Sequence, residues 1–236
     1  MAQTPPLHRQ NRLLAACAPP ELALLAAHLV FAPFAVRDVF EEPGKPFKSV
    51  YFITSGFASV VAAINHDKRV EVGLIGREGM TGSSLVLNSD RSPHETYAQA
   101  PGDAWSMSAT TLRGVLDDSS VLRGVLGKFA HAFMIQVAHT AVANAQATIE
   151  QRLARWLLMA QDRLGAGSAL PLTHEFLSLM LAVRRAGVTV AVQALEAKGM
   201  IDAGRGVILI LDRDALKQLA GAFYGAPEAE LKRLMN

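Results

Sequence analysis

Two adjacent arginines, Arg184 and Arg185, open an apolar-periodic segment, and Thr189 and Gln193 follow them on its outward side. Arg bonds guanine edges or phosphate, and Thr and Gln bond base edges, so these four residues have the chemistry to read a duplex from its major groove. An ordinary solvated helix end is the alternative for the two arginines. The flanking residues favour reading. Thr173 is placed to cap a first helix whose buried face is Phe176, Leu177, Met180 and Leu181. Ala182-Val183 is the expected turn, and a second helix is expected over 184–198, with Val188, Val192 and Leu195 facing inward and Gly199 ending it. Asp202-Ala-Gly-Arg-Gly predicts a tight turn before a strand over 207–211, with Arg205 at its tip. Helix, turn, helix and wing form a frame that lays one helix in the major groove. Thr173 at its helix start and Arg205 at the wing would then meet phosphates. A left-handed turn residue is common at such a turn, and Ala182 tolerates that conformation poorly. Gly187, inside the second helix, suggests close approach to the sugar-phosphate backbone.

A second group lies far upstream. Gly76, Arg77, Glu78, Gly79, Met80 and Thr81 form one polar, glycine-containing run, and Arg91, His94 and Thr96 form another. Together they are candidates to line a small-molecule pocket. Arg77, Arg91 and His94 suggest an anionic ligand. Two alternatives stay open: the arginines point to solvent, or the pocket is empty and permanently set.

These groups need elements to carry them. The chain has 236 residues, half of them apolar, with a net charge of only +2, so any nucleic-acid contact must come from locally placed cations. Residues 10–29 predict a pair of short helices. From Phe31 to about Ala109, short β-branched and aromatic runs (SVYFITSG, FASVVAAIN, RVEVGLIG, HETYAQA, AWSMS) alternate with turn residues such as Pro43-Gly44, Ser55-Gly56, Asn65-His66-Asp67, Asn88-Ser89-Asp90 and Pro101-Gly102. That texture predicts a β-barrel or jelly roll. From Ala109 to Leu164 the pattern is helical. Leu122, Leu126, Phe129, Phe133 and Val137 recur at three- and four-residue steps, and Val125, Ile135 and Val142 widen the stripe. The wide stripe is buried either within one chain or against a second copy. The register changes near Ala147. A strongly amphipathic helix follows, with Leu153, Trp156, Leu157 and Ala160 as its core face and Gly165-Ala-Gly-Ser as its stop.

The fold class expected is therefore α+β. It comprises an N-terminal β-roll or jelly roll over 1–115, a long dimerisation helix over 116–147 and a C-terminal winged helix-turn-helix over 148–236. The N-terminus, MAQTPPLHRQ, has no apolar signal core, and the apolar run from Leu22 to Val36 is too short and interrupted to span a bilayer. A soluble, cytoplasmic chain without a membrane partner is expected. The single cysteine, Cys17, excludes an intrachain disulfide and a multi-cysteine metal or iron-sulfur site. No metal site is expected, and no cofactor is assigned.

Three segments in this order carry a family resemblance: Gly-Arg-Glu-Gly-Met-Thr-Gly over Gly76–Gly82; Glu150-Gln-Arg-Leu-Ala-Arg-Trp-Leu-Leu; and Leu172-Thr-His-Glu-Phe-Leu followed by Val183-Arg-Arg-Ala-Gly-Val-Thr-Val. The chain resembles the Crp/Fnr family of bacterial transcription regulators over nearly its whole length. The resemblance implies a cyclic-nucleotide-binding-like domain, a dimer helix and a winged helix. It also implies a homodimer on double-stranded DNA with two-fold-related half-sites about one helical turn apart, and RNA polymerase as a further candidate partner.

Departures from the family pattern limit the ligand. Members that bind cyclic nucleotides carry a Gly-Glu pair for the ribose and then an Arg followed by a small hydroxyl residue for the phosphate. Here Arg77 follows Gly76 and Glu78 comes one place late. The phosphate position falls near His94-Glu95-Thr96, with Arg91-Ser92 close by. A cyclic phosphate wants a permanent cation, whereas His94 is mostly neutral at neutral pH and Glu95 repels an anion. These departures argue against cAMP. Seven scattered histidines are a weak signal for haem. The acid that commonly follows the first arginine of the recognition helix is absent, since Ala186 follows Arg185, so no operator sequence carries over. The function expected is a homodimeric, sequence-specific DNA-binding transcription regulator controlled by an unidentified small effector in the β-roll. The rival is a ligand-binding or interaction module with a vestigial DNA-binding domain. With no nucleophile elbow, P-loop or HExxH, an enzyme is not expected.

Overall fold

The β-branched runs pair into two antiparallel-rich sheets in a computed structural model that describes residues 11–235 except 66, 67, 166 and 168. His66 and Asp67 of one expected turn, Ala166 and Ser168 of the expected helix stop, and MAQTPPLHRQ lie outside the described residues. Strands β1 (Val30–Phe34), β7 (Gly102–Ser108) and β3 (Ser49–Ile53) form one sheet in the order β1-β7-β3. β2 (Val39–Glu41), β6 (Glu95–Ala100), β4 (Phe57–Asn65) and β5 (Lys68–Ile75) form the other in the order β2-β6-β4-β5. Phe52 pairs with Trp105 and Val50 with Met107, placing buried side chains opposite one another across the first sheet. The turns at Gly56 and Gly102 interlock backbone to backbone: a Cβ added to Gly102 would stand 2.1 Å from the Ser55 carbonyl oxygen.

Two short helices, α1 (Arg12–Ala15) and α2 (Pro19–Ala26), precede the sheets as expected. Asn11 caps α1 by accepting from the Leu14 N–H at 2.9 Å, and its amide donates to the carbonyls of Ile53 at 2.7 Å and Gly79 at 2.8 Å. This fully buried side chain fixes the 76–82 segment against the end of β3. A 3-10 turn over Ser83–Leu87 and helix α3 (Ala109–Asp118) complete this part of the chain.

Helix α4 (Ser120–Gln146) is the long helix. Leu122, Leu126 and Phe129 are buried, as expected, whereas Val121, Met134 and Val142 are exposed. By length and composition it is long and apolar enough to cross a membrane, the only such helix among the described residues. The chain then breaks at Ala147-Thr148. Thr148 and Gln151 form a reciprocal capping box that starts α5 (Ile149–Leu164), at the expected change of register. Helices α6 (His174–Leu181) and α7 (Arg185–Ala197), the hairpin β8 (Ile201–Gly204) and β9 (Val207–Ile210), and helices α8 (Arg213–Ala220) and α9 (Ala226–Met235) follow. The chain divides into two compact units. One holds the residues up to Val60, Ile75–Met134 and the last residues from Glu230; the other holds Val61–Leu74 and Ile135–Ala229.

Four arginines of the second unit are engaged in its architecture. Arg155, only 1% exposed, donates to the Phe223 carbonyl and the Thr140 hydroxyl and lies over the Trp156 ring; burial lowers its pKa to about 10. Arg163 bonds the carbonyls of Met159 and Leu74, and Arg152 that of Leu181. Arg213 pairs with Asp162 at 2.6 Å, and the Tyr224 hydroxyl donates to the same carboxylate.

Candidate nucleic-acid interface

Thr173 caps α6 by accepting from the Phe176 N–H at 3.2 Å, and Phe176, Leu177, Met180 and Leu181 are buried beneath it. Ala182 follows in the left-handed region, with φ 50° and ψ 40°. The N–H of Ala182 reaches the Leu179 carbonyl and that of Val183 reaches Ser178. The turn anticipated at Ala182-Val183 is therefore formed, with an alanine where a glycine would sit without strain. Arg184 is the N-cap of α7, and Val188, Val192 and Leu195 are buried along it, joined by Ala191.

The outward face of α7 carries Arg185, Ala186, Val190, Gln193 and Ala197, all exposed, with Thr189 half-buried beside them. Arg184 is also exposed. No acidic residue lies in the first turn of α7, so nothing there repels a phosphate. Among the described residues Arg184, Arg185 and Gln193 have no side-chain hydrogen bond or ion pair. The Thr189 hydroxyl, by contrast, donates to the Arg185 carbonyl at 3.2 Å, within its own helix. Of the residues read from sequence as base readers, Thr189 is thus the one whose donor is already engaged. Gly187 is a correction. It does not open the helix to a sugar-phosphate backbone, because a Cβ added there would face Val183 and Ile149 at 3.6–3.7 Å.

The wing is the β8–β9 hairpin, with Ile201 opposite Ile210 and Gly204 opposite Val207. Leu170 bridges to Ile208 through reciprocal backbone bonds of 2.8 and 2.9 Å, tying the segment before α6 to the wing. Arg205 is exposed in the hairpin turn. A Cβ on Gly206 would lie 3.9 Å from the Thr173 methyl, so the wing turn and the start of α6 are neighbours. Thr173 and Arg205 are thereby brought to one side of the unit.

The β-roll candidates are placed differently. The Glu78 carboxylate accepts from the Gly76 N–H at 3.1 Å, closing the loop on itself. Gly79 lies under the Phe129 ring, Met80 is buried, and the Thr81 hydroxyl accepts from the Tyr51 N–H at 3.0 Å. The Nε of Arg77 is buried without a hydrogen bond. Arg91 turns to the surface and pairs bidentately with Asp90 at 2.9 and 3.0 Å. Burial lowers the pKa of His94, favouring the neutral ring. The two candidate segments meet on a residue that sequence reasoning missed. Glu41, 9% exposed, accepts from the Gly82 N–H at 2.6 Å, and the hydroxyls of Ser92 and Thr96 flank its carboxylate. Burial raises its pKa, against the lowering effect of these donors. A lone acid at the end of a short strand carries no sequence signal for this role. Among the described residues no group of three or more His, Cys, Asp or Glu could hold a metal ion.

Residues 151–219 match the model of the Crp-like helix-turn-helix domain. Solved structures with the same fold extend over most of the chain. FixK2 from Bradyrhizobium japonicum superposes with a TM-score of 0.70 at 15% identity, covering 82% of this chain and 98% of its own. CLP from Xanthomonas campestris, a global regulator responsive to c-di-GMP, gives 0.67 at 18% identity, covering 82% and 99%. A CRP-family transcriptional regulator from Thermus thermophilus gives 0.67 at 17% identity, covering 83% and 99%. Among curated proteins, none matches the chain. The α+β fold class and the resemblance to Crp/Fnr regulators read from the sequence are borne out.

Proposed function

We propose that this chain, with a Crp-like helix-turn-helix domain on the fold of the Crp/Fnr regulators, is a cytoplasmic, homodimeric transcription regulator that binds a two-fold-related duplex site. The observation that carries the reading is the exposed pair Arg184 and Arg185 at the start of α7, beside Gln193 and without an internal partner among the described residues. Arg184 and Arg185 supply base or phosphate contacts, Gln193 a base-edge contact, and Thr173 and Arg205 phosphate contacts.

The dimer reading rests on α4. Gly124, Gly127, His131, Met134, Ala138, Ala141 and Ala145 follow one another at alternating three- and four-residue steps, the spacing of a helix-helix seam. Methyl groups added to Gly124 and Gly127 would meet nothing within 4 Å, so these glycines weaken the helix without packing against their own chain. A second helix approaching closely gives them a purpose. A lipid environment does not, because Gln136 and Thr140, buried polar side chains of the same helix, bond Leu74 of β5 and Arg155 of α5.

In the β-roll, Glu41 supports a set state in preference to one organised by an anion. A protein carboxyl already accepts from the Gly82 N–H beside the Ser92 and Thr96 hydroxyls, occupying the place an anion's oxygen would take. An effector acting there must bind the segments 76–82 and 91–96 around Glu41. It shifts the DNA-binding state only by its differential affinity for the two arrangements.

The test is charge reversal, with Arg184→Glu and Arg185→Glu in the full-length chain. Binding to duplexes enriched from genomic fragments is measured across a salt series. The expected outcome is a loss of at least about a hundred-fold in affinity, at about 1–3 kcal/mol for each lost arginine contact plus the added repulsion, and a shallower salt dependence. Unchanged binding and unchanged regulation would favour the module with a vestigial DNA-binding domain.

A further inference from the structure

The middle of the outward face of α7 is apolar, and this has a consequence for what the helix reads. Val190 is 62% exposed. Ala186 precedes it by one turn, and Gln193 follows by three residues on the same face. At 1.5 Å per residue, Ala186 to Gln193 spans roughly 10 Å, about three base-pair steps. Nothing within the unit requires a β-branched apolar residue here, since the buried face of α7 is formed by Val188, Ala191, Val192 and Leu195.

Resting on the proposal that α7 enters the major groove, we infer that Val190, with Ala186 beside it, selects thymine through its C5-methyl group, and that Gln193 selects adenine at a neighbouring step. The thymine methyl is the one apolar feature on the major-groove edges of the four bases. An aliphatic side chain set against a G·C pair would strip water from the cytosine amino donor or the guanine acceptors and replace none of their bonds. Against thymine it buries methyl on methyl. Gln193 has both a donor and an acceptor, the pair that matches adenine N7 and N6. Thr189 adds little to this choice, because its donor is engaged by the Arg185 carbonyl. Arg185, at the start of the same face, reads guanine or phosphate. The half-site therefore pairs an arginine-read step with adjacent A·T-rich steps, and Val190 fixes the strand on which the thymine lies.

The test uses the full-length chain and duplexes enriched by it from a random-sequence pool. Each thymine of the enriched half-site is then replaced singly by uracil, which removes only the methyl group. At one thymine per half-site the replacement weakens binding about four-fold, the value for burying one methyl-sized group. The penalty shrinks to near one in Val190→Ala, a surface substitution that leaves the buried face of α7 intact. Replacing that pair by C·G weakens the parent chain at least ten-fold. Indifference to uracil at every thymine overturns the assignment while leaving DNA reading in place. So does a uracil penalty that persists in Val190→Ala, or an enriched half-site whose central steps are all G·C. If no duplex is enriched over the random pool, both this assignment and the DNA-binding reading fall.

Discussion

Replacing Ala182 by glycine is expected to stabilise the winged-helix unit, and the size of the gain follows from backbone geometry. Ala182 holds φ 50° and ψ 40° at the turn between α6 and α7. The left-handed region costs an L-residue about 1–2 kcal/mol through the approach of Cβ to the backbone. Glycine removes that cost. It also gives the unfolded chain more freedom, which costs about 0.4–1 kcal/mol. Ala182 is exposed, so its methyl contributes little burial. The Ala182 and Val183 N–H bonds to Leu179 and Ser178 are backbone bonds and survive the change. The net gain is about 0.5–1 kcal/mol. For a unit of about a hundred residues that raises the melting temperature by roughly 2–6 °C. Differential scanning calorimetry of the full-length chain measures it, with Ala182→Val as the opposite arm. Valine's second γ-carbon worsens the same strain and lowers the transition. Because the turn keeps its conformation, the α6–α7 angle and the affinity for an enriched duplex stay within about two-fold of the parent, a difference under ~0.5 kcal/mol. A glycine variant that melts at or below the parent temperature would refute the strain argument.

The remaining expectations concern the other unit and the long helix. Gly79→Ala places a methyl 2.1 Å from the Phe129 ring and should cost about 1–3 kcal/mol in urea unfolding; Phe129→Leu in the same chain should recover part of it, and no recovery would mean the strain lies elsewhere. Burial raises the Glu41 pKa, so its contribution to stability is present below the range of an unfolded carboxyl and is lost as pH rises through the folded value. Glu41→Gln should therefore flatten the decline in stability between acidic and neutral pH, and Glu41→Ala should cost about 1–3 kcal/mol by stranding the Gly82 N–H; an unaltered pH profile in the glutamine variant would exclude the carboxyl as its source. Replacing Gly124 and Gly127 together by alanine should stabilise the isolated helix by about 1 kcal/mol each while weakening self-association at least ten-fold in sedimentation equilibrium, a loss of about 1.4 kcal/mol or more. Unchanged association would move the dimer seam to another face.

Most of the architecture was legible because its signals are local. The strand runs, the break near Ala147, the cap at Thr173 and the wing turn at Arg205 each follow from residue type over a few positions, whereas the left-handed conformation of Ala182 runs against its residue type. The short strands β1 and β2 were not resolved, because Pro33 interrupts one and the other has only three residues. Helices α8 and α9 went unread for a different reason: their polar character hides how firmly Arg213 and Tyr224 tie this region to Asp162. The β-roll candidates depended on long-range geometry. Nothing near Glu41 in the sequence announces that its carboxylate accepts from Gly82, forty-one residues away. Val190 was concealed by its neighbours. Val188, Val190 and Val192 alternate as strand residues do, and only the helical turn separates the exposed one from the two buried ones.

The placement of charge explains why an apolar reading surface suits this chain. Arg152, Arg155, Arg163 and Arg213 are engaged in the second unit's own architecture. The arginines left exposed on the proposed reading side are Arg184, Arg185 and Arg205. Each phosphate neutralised contributes about −0.9 to the slope of log affinity against log salt, so these three arginines would contribute a slope of about −5 across two copies. A protein with that electrostatic contribution holds random duplex weakly. Its discrimination must come from base edges, and methyl contacts such as those assigned to Val190 supply selectivity without adding non-specific attraction. In the proposed dimer, pairing through α4 would multiply a modest half-site preference by itself, since both copies of α7 would have to find their steps at once. A chain that bound duplex as a single copy would have only half of that slope and only one half-site's selectivity, too little to find an operator among genomic competitors. On this arithmetic the proposed seam on α4 would be as much a determinant of sequence specificity as the residues of α7.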